Sequence, residues 1–169
     1  AAFQGALSAV PQAKAIIYVG TDLQSARVSR GEEPLLEVIE TGISIVAMGG
    51  MTDPMDGVVA MLDGAATMES GAWLPPLWVQ SLNQPVLNLE VPVRRDGQFV
   101  GVLFAVVELG SLVDYLAYLE AQESASAFVL YGPDHVLVHP NLLDRMVTAD
   151  QGEVPLPEAM TFPDPALSM

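Results

Sequence analysis

From Pro85 to Leu109 the chain reads PVLNLEVPVRRDGQFVGVLFAVVEL, two apolar runs on either side of a short charged break. The break is Arg94-Arg95-Asp96-Gly97-Gln98. Asp-Gly is the dipeptide that a tight type I′ turn favours, because both central residues take φ > 0. A strand with one wet face alternates polar and apolar residues, and Val100 to Val107 does not. The second arm is therefore expected to be covered on both sides, in the middle of a sheet. Pro92 brings no N–H and belongs at a bulge or where the first arm lacks a neighbour. The pattern predicts a long antiparallel hairpin at the centre of a mixed α/β domain.

The other elements follow from the same kind of reading. Ala1 to Ala13 is Ala-rich and apolar, the end of a helix that Pro11 interrupts. Ala15 to Val19 and Ser25 to Ser29 are predicted as strands joined through Gly20-Thr21-Asp22-Leu23-Gln24. A helix is expected from Gly31 to Glu40, with Glu32 and Glu33 favouring the dipole of its first turn. Ile43 to Met48 fits either a strand or a buried helix. Pro54 opens a further helix through Met68. Ala72-Trp73-Leu74-Pro75-Pro76-Leu77-Trp78 is too rich in proline for regular structure. Ser111 is a good N-cap for a helix from Leu112 to Gln122, whose Leu112, Tyr115, Leu116 and Leu119 form an inward stripe. Ser126 to Tyr131 and His135 to Val138 make a last strand pair turned through Gly132-Pro133-Asp134. Residues 1–141 are read as one domain. Residues 142–169 have no sustained periodicity and are read as a linker or the start of a second module.

Charge and composition remove whole classes of function. Six basic residues against twenty-one acidic ones give a net charge of −15. Phosphate recognition needs clustered Lys and Arg, so no nucleic-acid partner is expected. With 51% apolar residues the chain is not disordered, and at 169 residues it can bury a real core. No run approaches the roughly twenty uncharged apolar residues of a membrane span. The start at Ala1 has neither Met nor a signal-peptide pattern and reads as an excised piece of a longer protein. The absence of cysteine rules out disulfides, thiolate zinc sites and thiol nucleophiles.

Enzyme signatures are missing: there is no GxSxG, HExxH, Walker loop or GxGxxG. The two histidines, His135 and His139, lie about 13 Å apart along a strand, too far to share one metal ion, and structural roles are expected for both. The carboxylate pairs Glu32/Glu33, Asp53/Asp56 and Glu120/Glu123 carry no information in so acidic a chain, and no stretch supplies a calcium loop. Catalysis, a metal and a cofactor are therefore not expected. Pocket chemistry is more promising. Tyr18, Trp73 and Trp78 are large flat side chains, and Arg27 and Arg30 lie towards the end of the second strand.

Taken together, VPVRRDGQFVGVLFAVVELGSL resembles the central hairpin of Cache domains, the PAS-like extracytoplasmic sensors of bacterial receptors. The Pro-Val pair, the DG turn, the GV(L) triplet and a closing helix that opens with Ser-Leu come in that family's order. Phe128-Val129-Leu130-Tyr131-Gly132 to Val138-His139-Pro140-Asn141 is similar to its last two strands. The wording YG…HVLVHP looks most like sensor regions fused to adenylate or guanylate cyclases, with histidine kinases next. The resemblance implies an α+β, PAS-like fold with a central antiparallel sheet of roughly five or six strands, an N-terminal helix and flanking helices. It implies a small-molecule ligand, a homodimer through the N-terminal helix, and a membrane-anchored parent protein with this part outside the cytoplasm.

By that resemblance the pocket lies between the sheet and the segment from Gly31 to Val79. Trp73 and Trp78 would roof it, with Tyr18, Arg30, Asn88, Phe104 and Val106 lining it. Amino-acid-binding members place an Asp where this chain has Val106, and their Tyr-Arg-Trp pattern is absent from Ser29 to Glu40. The expected ligand is therefore an apolar or weakly polar molecule, or a carboxylate met by an arginine, rather than a free amino acid. The alternative is a ligand-free dimerisation or scaffold module with a filled core.

Overall fold

The computed structural model describes residues 2–30, 35–38, 54–79, 84–123, 126–139, 142 and 154–163. Helix α1 (Ala2–Ala9) leads into strands β1 (Ala13–Gly20), β2 (Gln24–Ser29) and β3 (Leu35–Val38). Helix α2 (Pro54–Thr67) follows, then the short strands β4 (Ala72–Trp73) and β5 (Leu77–Val79). The long arms β6 (Gln84–Arg95) and β7 (Gln98–Glu108) come next, then helix α3 (Leu109–Glu123) and the ribbon β8 (Val129–Tyr131) and β9 (His135–Val138). The main sheet is antiparallel throughout in the order β3-β2-β1-β7-β6-β4, with β5 also paired to β6.

The predicted hairpin is the middle of this sheet. Asp96 (φ 52°) and Gly97 (φ 80°) both take the left-handed backbone that the turn requires. Pro92 lies beyond the reach of β4, so its missing N–H faces no further strand. One feature was not legible. The arms start in register as Arg95↔Gln98 and Arg94↔Phe99, then shift so that Val93 pairs with Gly101. Val100 is thus an extra residue in β7, and every later pairing differs by one from a simple hairpin.

The bulge is held from β1. The Tyr18 hydroxyl donates to the Val100 carbonyl at 2.7 Å, and the Thr21 N–H donates to the same oxygen at 3.1 Å. Gly101 sits at φ 153°, and a Cβ there would run into the Val19 carbonyl and lie 2.8 Å from the Tyr18 hydroxyl. No larger residue fits this crossing of β1 and β7.

Both faces of the sheet are covered, as the unbroken apolar run of β7 predicts. On one face Val58, Leu62 and Ala65 of α2 pack with Ala15, Ile17, Val19, Val86, Val102, Phe104 and Val106. On the other, Leu7 of α1 packs with Ala13, Ile16 and Val28. Further along that second face, Leu87 joins Leu109, Val113 and Leu116 of α3 and Val136, Leu137 and Val138 of β9.

Three expectations need correction. Leu35 to Val38 is a strand on the edge of β2, not part of a helix; pairing with a ready-made sheet edge outweighs the dipole preference of Glu32 and Glu33. Gly31 to Pro34 and Ile43 to Met48 fall outside the described residues. Helix α3 begins at Leu109, directly out of β7, so Ser111 is inside it; of the expected stripe Leu112, Leu116 and Leu119 do face the core, joined by Leu109 and Val113, while Tyr115 is exposed. The Trp-Pro segment does hold regular structure at its ends, with only Leu74, Pro75 and Pro76 between β4 and β5. The last strand pair forms, with its first strand shortened from Ser126–Tyr131 to Val129–Tyr131, and as its own two-stranded sheet. Residues 154–163 lie against it: Glu158 bridges His135, the Val136 N–H donates to the Pro157 carbonyl at 2.8 Å, and Phe162 is buried.

Candidate functional site

Antiparallel partners point to the same side of a sheet, so the register sorts the side chains by face. One row across the α2 face runs Ser29–Ala15–Val106–Asn88, and the next runs Arg27–Ile17–Phe104–Glu90. A third begins with Ser25, opposite Val19 and Val102. The face therefore has an apolar floor of Ala15, Ile17, Phe104 and Val106 on the two central strands. Polar side chains stand on both sides of it: Ser25, Arg27 and Ser29 on β2, Asn88 and Glu90 on β6. Three strand spacings separate these rails, about 14 Å.

The rails are buried. Asn88 is wholly inaccessible (0%), and Ser29, Ser25 and Glu90 are nearly so. Arg27 is half-buried and its Nε donates to the Ser29 hydroxyl at 2.8 Å. Burial raises the Glu90 carboxyl above the ordinary glutamate value, because the low-dielectric surroundings disfavour its charged form. Asn88 stands out further. Neither its Oδ1 nor its Nδ2 has a hydrogen-bond partner among the described residues. Paired buried polar atoms are the rule, so an amide sealed off with both ends open needs a reason.

Of the seven residues expected to line the pocket, Asn88, Phe104 and Val106 share this face. The other four do not join them. Tyr18 pairs with Ala26 and Leu103, which puts it on the α1 face, where its hydroxyl locks the bulge. Trp73 pairs with Leu89 and Trp78 with Pro85, so both indoles alternate away from the α2 face, and Trp73 is 49% exposed. Arg30 reaches back to α1 instead. Its Nε donates to the Ala13 carbonyl at 2.8 Å, and its Nη2 to the carbonyls of Leu7 and Val10 at 2.6 and 2.7 Å. It caps the C-terminal end of that helix.

The residues that reading of the sequence missed are Glu90, Ser25 and Ser29. Asn88 and Glu90 are two apart in LNLEV, so a strand places both on one face; that signal was available. The two serines look like ordinary strand residues until the register puts them on the same rows. Helix α2, which covers the floor, is fastened by the hairpin tip: Arg94 Nη2 donates to the carbonyls of Ala66 and Met68 at 2.7 and 3.1 Å. Among the described residues no group of His, Asp or Glu could hold a metal ion, and no helix is long and apolar enough to cross a membrane. His139 is buried against Phe162 with ring centroids 4.7 Å apart, and the His135 ring meets the neighbouring Asp134 carboxylate at 2.7 Å.

No protein-family model matches the sequence, and no curated protein matches it. The fold does match solved structures. It is similar to the ligand-binding domain of the Pseudomonas fluorescens chemoreceptor CtaA in complex with L-serine, at 19% identity and a TM-score of 0.51, over 82% of this chain and 52% of that one. It is similar to the sensory domain of the Campylobacter jejuni chemoreceptor Tlp3, at 13% identity and a TM-score of 0.55, over 88% and 54%. The Tlp3 domain with isoleucine bound gives 14% and 0.55, over 87% and 53%. The chain thus spans about half the length of these neighbours. The α+β, PAS-like architecture that the Cache resemblance implied is the fold of the molecule, and it is the fold of chemoreceptor sensor domains.

Proposed function

We propose that the chain is a small-molecule-sensing domain, and that its ligand meets the α2 face of the sheet over Phe104 and Val106, between the Arg27 and Asn88 rails. The observation that carries this reading is the sealed, unpaired amide of Asn88. A scaffold with a filled core has no use for such a group, whereas a sensor has an obvious one. The neighbours' architecture supports the reading, since those domains are ligand-binding or sensory by description.

The wider setting belongs to the same proposal. The domain works outside the cytoplasm as part of a membrane-anchored receptor, and α1 packs against its counterpart in a dimer. A ligand shifts the output only through unequal affinity for two arrangements of that dimer. An adenylate or guanylate cyclase is the output that the YG…HVLVHP wording supports first, and a histidine kinase second. Residues 1–141 carry the sensor unit and 142–169 lead into a further module, with Leu142, Ala159 and Phe162 packed back onto α3 and β9.

A thermal-shift screen of small metabolites on the 169-residue chain tests the central claim. A ligand at about a hundred times its Kd adds roughly 2.7 kcal/mol, which for a chain of this length raises Tm by about 5–10 °C. A screen covering amino acids, carboxylates, amides and nucleobases in which no compound moves Tm sinks the sensor reading in favour of the scaffold.

A further inference from the structure

Asn88 is fixed as well as unpaired. It lies within β6, opposite Val106 on β7, and its backbone carbonyl accepts the Leu74 N–H at 2.9 Å. Its neighbours on the same face, Val86 and Val106, are fully buried and apolar. The nearest ionisable group on its own strand and face is Glu90, about 6.6 Å along. A carboxamide offers two N–H donors and two lone pairs. With none of them used, the folded chain bears a desolvation penalty that a leucine of similar size would avoid.

The chemistry that matches such a group is narrow. An amide edge pairs best with a partner that presents a donor and an acceptor side by side, the same fit by which asparagine reads an adenine edge. A carboxylate alone uses only Nδ2 and an ammonium alone only Oδ1. A zwitterion offers both partners, but it buries two full charges against a residue that carries none. The adjoining Phe104 and Val106 are apolar and buried beneath α2.

We propose that Asn88 is the recognition element for a small uncharged ligand carrying a hydrogen-bond donor and an acceptor side by side, as a primary carboxamide, a cyclic imide or a nucleobase edge does. This rests on the sensor reading and names the ligand class for that site.

The test is calorimetric titration of the 169-residue chain with nicotinamide and uracil as uncharged probes, and with L-serine and L-isoleucine as zwitterionic ones. The variants are Asn88→Leu, which removes the amide, and Asn88→Asp, which keeps its shape and replaces the donor by an acceptor. An uncharged probe is expected to bind the wild type, and to bind both variants roughly ten- to a hundredfold more weakly. In the same preparations ligand-free Asn88→Leu is expected to melt higher than the wild type; should it fail to fold, Asn88→Asp carries the comparison. Equal affinity in wild type and variants overturns the role of Asn88 and leaves the sensor reading standing. Binding of the amino acids alone overturns the ligand class in the same way. If neither kind of probe binds at millimolar concentration, both the proposal and the reading beneath it fall.

Discussion

The two faces of the sheet are built from the same strands and do opposite things with burial. Beneath α1 the contacts are aliphatic: Leu7, Ala13, Ile16 and Val28, with Leu103 half-buried beside them. Beneath α2 an apolar floor of equal quality is interrupted by Ser25, Ser29, Asn88 and Glu90. These are four of the five buried polar side chains among the described residues, the fifth being His139. A face that only needed to hold the fold together would not bury an unpaired amide and a carboxyl, each of which lowers stability. The α1 face is the foundation; the α2 face gives up stability, as the proposed recognition role requires. Residues that break the local rules for burial are where function is to be sought.

That division depends on one extra residue. Without the bulge at Val100, Asn88 would stand opposite Ala105 rather than Val106, and Phe104 and Val106 would turn towards α1. A one-residue slip sends every side chain of a strand to the other face. Gly101→Val should therefore have the largest effect of any single change. It adds a side chain at a φ that branched residues avoid and directly against the Val19 carbonyl. A loss of about 4 kcal/mol or more in urea unfolding is expected, enough to leave little folded protein. Near-wild-type stability in Gly101→Val would show that the bulge does not hold the two faces apart.

The next effect separates the helices. Neither α1 nor α2 has a basic residue in its own last turn, and each receives an arginine from the sheet instead: Arg30 for α1, Arg94 for α2. A guanidinium on those terminal carbonyls satisfies acceptors that the helix leaves open and opposes the dipole. Both arginines are exposed, so each substitution to Ala should cost only about 1 kcal/mol. What differs is where the loss is felt. Arg30→Ala should speed amide exchange in α1 and leave the Tm shift by a bound ligand unchanged. Arg94→Ala should speed exchange in α2 and reduce that shift, because α2 covers the floor. Equal effects on ligand response would mean that the two faces are not specialised.

The sequence was most informative where local chemistry and pattern agreed. Asp96-Gly97 between two apolar runs could form little else than the hairpin tip, and Pro54 and Pro11 placed a helix start and a helix end. Face assignment was harder. The Val100 bulge depends on a hydroxyl eighty-two residues away in β1, and nothing near Val100 announces it. Trp73 and Trp78 were expected to roof the site because the Cache resemblance puts the segment from Gly31 to Val79 over it. Their actual side is set by the register of two strands of two and three residues, too short to show a period. Asn88, Phe104 and Val106 share one face of the sheet. Arg30 is not with them, because the carbonyls of Leu7 and Val10 at the end of α1, 23 and 20 residues back in the chain, take its guanidinium.

The smallest effect concerns Glu90, and it probes the same asymmetry by pH. Its folded pKa is raised above the usual glutamate value of 4.5 by burial. The folded chain therefore keeps a proton that the unfolded chain has released, and ΔG of unfolding falls as pH rises between the two values. The contribution of Glu90 is intact below about 4.5 and is lost as pH climbs through the raised folded pKa. The charged group in the same cross-strand row is Arg27, about 14 Å away, too distant to cancel the cost of burial. Glu90→Gln removes the titration while keeping the shape. Its urea-unfolding curve should match the wild type at pH 4 and show a growing advantage towards neutral pH, with the many other carboxylates cancelling in the difference. The opposite trend, a wild type that gains on Glu90→Gln as pH rises, would mean that a cation already pairs with this carboxylate. The α2 face would then be a charged site rather than the neutral, donor-and-acceptor surface inferred from Asn88.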